Sequence, residues 1–412
     1  MCSMKKTSLI ISLLFVILHL AASQSIQSFG GLVQRITAED PSKRSAIVDS
    51  FMAAQRAKGF PVTTDSTAYF VFRGKIDSTI EVTGDHTQWS PNGDRLINVS
   101  GTDLFYLGKK FEPDARIDYK FIKDGNWILD PLNPHIVKGG FGQNSELAMP
   151  SYLQPATIRY NPAIPHGTLS TFTFTSSYTS DSRTVTVYLP PHYDSSSLRY
   201  PSLYVHDGPD YLSLASMMNV IDNLIEAKQI RSIIGVFIPS GADRAGEYRL
   251  GKITQFTKMM VKELVPYIDS VYRTDARASE RGTMGSSDGG HIALYLAVNY
   301  SGTFGLVGGQ SSTITDLLRE TVRTGPKIPV KFYLDVGTYD IYSTNYRFLE
   351  LNRGFHDLLL SKGYTVTYAE YHEGHSWGNW RAHTSDILRT FFPYTSTDAK
   401  VRKGTRKNIL LK

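Results

Sequence analysis

Residues 285–290 read Gly-Ser-Ser-Asp-Gly-Gly, and this run leaves few folds open to the chain. It lies between a short strand-like segment, 282–284, and a helical one, 291–300. A chain that leaves a strand and enters a helix within a few residues brings backbone against backbone, so small residues must occupy the turn. A serine at the centre of such a turn is lifted clear of the sheet. Its hydroxyl then sits beside a helix N-terminus, which favours developing negative charge. Ser287 holds that central position, and Ser286 the one before it.

The same strand-to-helix rhythm runs through the C-terminal two-thirds of the chain. Strand-like segments at 202–206, 233–238, 282–284, 306–309, 332–336 and 366–371 alternate with helical stretches. The helix expected over 255–272 places Phe256, Met259, Met260, Leu264 and Tyr267 on one side. That over 346–360 does the same with Phe348, Leu351, Phe355, Leu358 and Leu359. Alternation over this length predicts a mostly parallel sheet with helices on both faces. Two extended segments, 169–175 and 184–189, precede it.

Upstream the texture differs. Residues 24–60 carry a helical pattern around Ile47, Phe51 and Met52. From 63 to 150 the chain reads as short strands, with an apolar and aromatic run at 68–73. Residues 116–121 alternate, with Ile117, Tyr119 and Phe121 on one face, before an Asp124-Gly125-Asn126 hairpin turn. The expected layout is a helical segment at 24–62, an all-β sandwich at 63–152 and an α/β domain at 153–396.

The two ends account for the basicity. The net charge of +6 includes Lys5 and Lys6 near the start and an excess of +5 within 398–412, so the body carries −1. A nucleic-acid partner is not expected on that distribution. Residues 1–23 have a short basic start, an apolar run and small residues at Ala21 and Ser23, the pattern of a cleavable export signal. A periplasmic or secreted protein without stable membrane insertion is the expectation. Cys2 is the only cysteine and would leave with the leader, which excludes thiol catalysis and a disulfide scaffold from the mature chain. Residues 397–412 read as a solvated basic tail.

A serine hydroxyl needs a base to take its proton. Of eleven histidines, His375 lies in the loop after the last strand, where a Ser-Asp-His chain order places that base. The surrounding His372-Glu373-Gly374-His375 is one residue short of a helical zinc motif, so no metal is expected. His372 is expected to point away from His375, and His291 to be packed. The acid should follow the preceding strand: Asp340 lies just past its end, Asp335 within it, and Glu373 is a third option. Backbone donors for an oxyanion are expected from Asp288 and from one of Gly208, Asp210 or Tyr211, since Pro209 has no N–H. Trp377 and Arg244 are candidate substrate contacts, with Arg249 and Arg381 as further cations. Nothing in this set calls for a cofactor.

Tyr204-Val-His-Asp-Gly208, Arg244 to Tyr248, Glu263-Leu-Val-Pro-Tyr-Ile-Asp269, the Gly285–Gly290 turn and Glu370 to Arg381 together resemble one esterase family. It includes enterochelin esterases, feruloyl esterases and mycolyltransferases, and the last segment looks most like the enterochelin-esterase branch. The resemblance implies an α/β-hydrolase fold with Ser287 as nucleophile, His375 as base and Asp340 as acid. It also implies an N-terminal immunoglobulin-like domain. Val82-Thr-Gly-Asp85, Trp89 and Asp130-Pro-Leu-Asn-Pro134 look like the sugar-binding module flanking glycogen-branching enzymes, which would make Trp89 and Trp127 a carbohydrate platform. The substrate would be a feruloyl or acetyl polysaccharide ester or a siderophore-type ester. An inactive carbohydrate-binding protein and an acyltransferase using the same site are the alternatives.

Overall fold

The computed structural model describes residues 29–344 and 346–395. The expected leader with Cys2 and the basic tail lie outside the described residues. No helix among those described is long and apolar enough to cross a membrane. The chain divides into two compact units that interleave along the sequence. Described residues up to Val82, with 94–111 and 121–134, form the first; 83–93, 112–120 and the chain from His135 onward form the second.

The first unit contains two helices, Phe29–Ala38 and Pro41–Arg56. The second helix starts where the Asp40 carboxylate accepts the Ser42 N–H at 2.9 Å and Pro41 supplies a preset φ. Phe29, Leu32 and Ile36 share one helical face and pack with Val48, Phe60, Val71, Val99 and Leu104 in a single core. The ring of Phe29 stacks on Tyr69 at 4.6 Å. The sheet beneath is antiparallel, in the order Val62–Thr63, Thr67–Arg73, Leu104–Lys110, Ile97–Asn98. The expected hairpin at Asp124-Gly125 forms, with both residues at positive φ (49° and 81°), as a tight two-residue turn requires. The apolar stripe of the helical segment shares one core with the strands, since neither surface alone can leave water.

The second unit is built on a continuous sheet. Its order is Thr168–Ser176, Asp181–Leu189, Ile234–Ile238, Ser202–His206, Arg281–Ser286, Leu306–Gln310, Lys331–Tyr339 and Val366–Gly374. It continues through the start of Arg116–Lys123 to Gly142–Ala148 and Ile136–Gly139. Pairing is parallel from Ile234–Ile238 through Val366–Gly374 to the start of Arg116–Lys123, and antiparallel beyond that at both ends. The sheet is therefore mixed, with a parallel centre and antiparallel pairs at its two ends. At each end a hairpin joins neighbouring strands, and short connections permit only antiparallel pairing.

Successive strand residues face opposite cores. Tyr204, Val236, Phe332 and Leu334 belong to one cluster with Phe256, Ile292, Leu296 and Phe355. Leu203, Val205, Phe237 and Tyr333 belong to the other with Val220, Leu224, Ile387 and Leu388. That division is the period of two of a strand covered on both sides. The helix expected over 255–272 runs from Ile253 to Val271, but its middle, Met259–Leu264, is a π turn. The wider turn rotates the remainder of the helix, and Tyr267, placed on the buried side by simple periodicity, is 40% exposed.

The core of the first unit predicts a measurable asymmetry. Leu32→Ala, at a fully buried position, should destabilise that unit by about 2–5 kcal/mol in urea unfolding. Ile76→Ala, at a position 65% exposed, should change stability by less than about 0.5 kcal/mol.

Candidate active site

The strand Arg281–Ser286 is buried along its whole length and hands over to the helix Asp288–Asn299 through a single residue, Ser287. Ser287 adopts φ 54° and ψ −123°, a conformation that L-residues rarely accept. Its backbone is held on both sides. The N–H donates to the Gln310 carbonyl at 2.9 Å, and its carbonyl accepts from Thr313 at 3.0 Å and His291 at 3.1 Å. The glycines are there for close approach. A Cβ on Gly285 would lie 2.3 Å from the Gly289 carbonyl oxygen, and one on Gly289 would lie 2.7 Å from Asp207 Oδ2.

His375 reaches the serine from the loop after Val366–Gly374. Its Nε2 lies 3.0 Å from Ser287 Oγ, and its Nδ1 lies 2.7 Å from Asp340 Oδ1. The ring is braced by Phe348 at 4.5 Å and edge-on by Trp380 at 5.0 Å. The Asp340 carboxylate is buried and also accepts the Ile341 N–H at 2.7 Å.

The other candidate acids are occupied elsewhere. Asp335 is fully buried and accepts from Gln310 Nε2 at 3.1 Å, and burial pushes its carboxyl up to about 7. Glu373 pairs with His383 Nε2 at 2.6 Å. His372 turns to Asp114, 2.7 Å away. His291 faces the Thr313 carbonyl at 3.0 Å, and burial pushes it down to about 4, so it stays neutral near pH 7.

The candidate oxyanion donors sort themselves by hydrogen bonding. The N–H groups of Asp210 and Tyr211 donate to the Asp207 carbonyl at 3.0 and 3.2 Å, as the opening bonds of the helix Gly208–Ser213. Gly208 is too early in that helix to share this carbonyl, and it follows Asp207, which sits at φ 54° and ψ 40°. Of the three expected alternatives, Gly208 is thus the one compatible with a free donor. Tyr211 instead uses its hydroxyl, donating to Gln310 Oε1 at 3.0 Å. Gln310 completes its set by donating Nε2 to the Trp380 carbonyl at 3.1 Å.

Two candidate substrate contacts have other duties. Trp377 is only 6% exposed and packs edge-on against Tyr211 and Trp380, so it is core and offers no open face. Arg244 makes a bidentate pair with Asp207, at 2.9 and 2.8 Å, and lies over the Tyr248 ring. Arg249 donates to Asp288 Oδ1 at 2.9 Å. Arg381 is largely buried beside Glu146, 3.9 Å away.

Sequence reasoning missed Arg116. Period-two alternation put it and Asp118 on the face opposite Ile117 and Tyr119, which reads as solvent. Both are buried. The Arg116 guanidinium pairs with Asp118 and Glu146, each at 2.6 Å, and donates to Ser376 Oγ at 3.1 Å. It therefore supports the residue that follows His375. The only signal was negative: an arginine and an aspartate two apart could satisfy each other in the interior as well as outside it.

Residues 176–391 match the family Esterase, described as "Putative esterase", and this is more than half of the 412 residues. The chain belongs to the Esterase family. It is 28% identical over 234 residues to the uncharacterized protein YjcH of Bacillus subtilis, covering 54% of this chain and 97% of that one. To the iron(III) enterobactin esterase of Escherichia coli it is 27% identical over 259 residues, covering 56% of this chain and 63% of that one. The solved ferric enterobactin esterase of Salmonella typhimurium is similar in fold, with a TM-score of 0.67 at 18% identity. That match covers 82% of this chain and 98% of the other. The protein is a carboxylic ester hydrolase with an α/β-hydrolase fold.

Behind the His375 loop, His383 stacks on Tyr371 at 3.3 Å and lies between Glu373 and Asp386. Burial opposes its charge, but the carboxylates prevail and hold it up at about 9, from 6.5. A histidine raised on folding contributes stability that is complete below 6.5 and is lost as pH rises through about 9. His383→Gln should remove that slope. Thermal melts between pH 6 and pH 10 should show the parent losing more than the variant across about 6.5 to 9.

Proposed function

We propose that this esterase is an exported serine hydrolase acting through an acyl-enzyme. The hydrogen-bond relay from Ser287 Oγ through His375 to Asp340 carries the reading, at 3.0 and 2.7 Å. Ser287 attacks the ester carbonyl while His375 Nε2 takes its proton, and the Asp340 carboxylate holds Nδ1–H and stabilises the imidazolium. The N–H groups of Asp288 and Gly208 receive the tetrahedral oxyanion. Nε2–H then protonates the departing alcohol, leaving acyl-Ser287 and a neutral imidazole. Water gives a proton to the same nitrogen as it attacks, the acid departs, and Ser287 regains its proton. The leader pattern at 1–23 supports export.

The substrate we favour is a neutral ester of a hydroxylated aromatic acid. Phe348 braces His375, and the 43%-exposed ring of Tyr346 lies parallel to Phe348 at 6.0 Å, so aromatic surface leads outward from the base. A feruloyl ester and an iron-free catecholate trilactone share that chemistry. A ferric complex with several negative charges fits less well, because Arg244 and Arg249 are paired with carboxylates and Arg381 is largely buried. We also propose the immunoglobulin-like character of the N-terminal unit, which its antiparallel sheet supports. Sugar binding there would fall to Trp127, 43% exposed; Trp89 belongs to the second unit, is half-buried and gives its indole N–H to Asp85 at 2.9 Å.

Ser287→Ala should lower kcat on an aryl ester by about 10⁴-fold or more. Retained hydrolysis would overturn the mechanism. Across feruloylated and acetylated oligosaccharides and a catecholate trilactone with and without iron, kcat/KM should be highest for the neutral aromatic esters. Preference for acetyl esters or for the ferric complex would overturn the substrate reading.

A further inference from the structure

Asp207 and Asp288 place two carboxylates beside the proposed oxyanion site. Asp207 precedes Gly208, and Asp288 supplies its own N–H. Both side chains are nearly buried, at 9% and 14% exposure. Two fixed negative charges so close to a third that develops during reaction would oppose it strongly in a medium of low effective dielectric. The structure compensates them from one short segment. Arg244 grips both oxygens of Asp207, at 2.9 and 2.8 Å, and its Nη1 also lies 3.7 Å from Asp288 Oδ2. Arg249, one turn further along, donates to Asp288 Oδ1, which also accepts from Thr313 Oγ1 at 2.7 Å.

The clamp is geometric as well as electrostatic. Asp207 holds a left-handed conformation, φ 54°, that aims the following peptide. Its N–H donates to the Tyr248 hydroxyl at 3.3 Å, while the Arg244 guanidinium lies 5.1 Å over the Tyr248 ring. The Asp207 carboxylate also presses against Gly289, in the first turn of the elbow helix. One guanidinium therefore ties the two arms of the donor pair together.

We infer that Arg244 is a positioning residue that sets the geometry and cancels the charge around the oxyanion donors, and is not a substrate-binding cation. Arg249 supports the Asp288 arm. The inference rests on the reading of Ser287 as nucleophile. It predicts a signature that neither a substrate contact nor a packing residue would produce: a loss in kcat that is repaired by removing the stranded carboxylate.

The test measures kcat and KM of the full chain on p-nitrophenyl acetate. Arg244→Gln should lower kcat by about 100-fold with KM changed less than about threefold. Adding Asp207→Asn should recover at least about tenfold, because the uncompensated charge is gone. Arg244→Lys, which keeps the charge but not the fork, should stay within about tenfold of the parent and covers the case in which the glutamine variant fails to fold. Three results would overturn the inference: kcat within about threefold of the parent, a loss confined to KM, or no recovery in the double variant. A hydrolytically active Ser287→Ala would sink the proposed mechanism itself. An inactive Ser287→Ala beside a fully active Arg244→Gln would sink this inference alone.

Discussion

One buried amide, Gln310, connects the parts of this site. Its backbone carbonyl accepts the Ser287 N–H, while its side-chain Oε1 accepts from Tyr211 and its Nε2 donates to Asp335 and to the Trp380 carbonyl. Those four partners stand on the elbow, the helix Gly208–Ser213, the strand leading to Asp340 and the helix following His375. An amide has two donors and an acceptor oxygen of fixed orientation, so satisfying them in a dry interior, with the backbone carbonyl held by Ser287, constrains how the four elements are arranged. Asp335 serves that arrangement: burial raises it to about 7, and it acts as a structural partner to the amide while Asp340 faces the histidine.

The same logic explains how Ser287 tolerates its backbone. A non-glycine residue at φ 54° and ψ −123° carries strain on the order of 1–3 kcal/mol. It persists because three backbone hydrogen bonds and two close glycine approaches each demand the same geometry. The backbone of this turn is over-determined, which is what the proposed charge-stabilising role would need.

The elements legible in the sequence are those whose chemistry is local. The Gly285–Gly290 run, the strand-helix rhythm and the position of His375 after the last strand each depend on a few neighbouring residues. They lead to Ser287, His375 and Asp340, which the fold brings within hydrogen-bonding distance. The choice between Asp340 and Asp335 needs the three-dimensional fold, because a strand end shifted by a few residues exchanges their roles. Trp377 misleads because an aromatic residue beside a reactive histidine packs inward as readily as it faces a ligand. Arg116 and Asp118 escape notice because alternation reports which residues share a face, and says nothing of whether the polar face is wet. The antiparallel ends of the sheet depend on pairings between distant segments, which no local pattern records.

The placement of Arg116 bears on how such an enzyme could be divided or inherited. The loop bearing His375 is buttressed by a residue some 260 positions earlier in the chain, through Ser376. The hydrolase unit likewise draws a strand from 116–119 and a hairpin from 136–148. In this chain the unit is therefore drawn from a discontinuous stretch of polypeptide. A gene fragment beginning after residue 153 would encode Ser287, Asp340 and His375 without Arg116 and without the strands at 116–119 and 136–148.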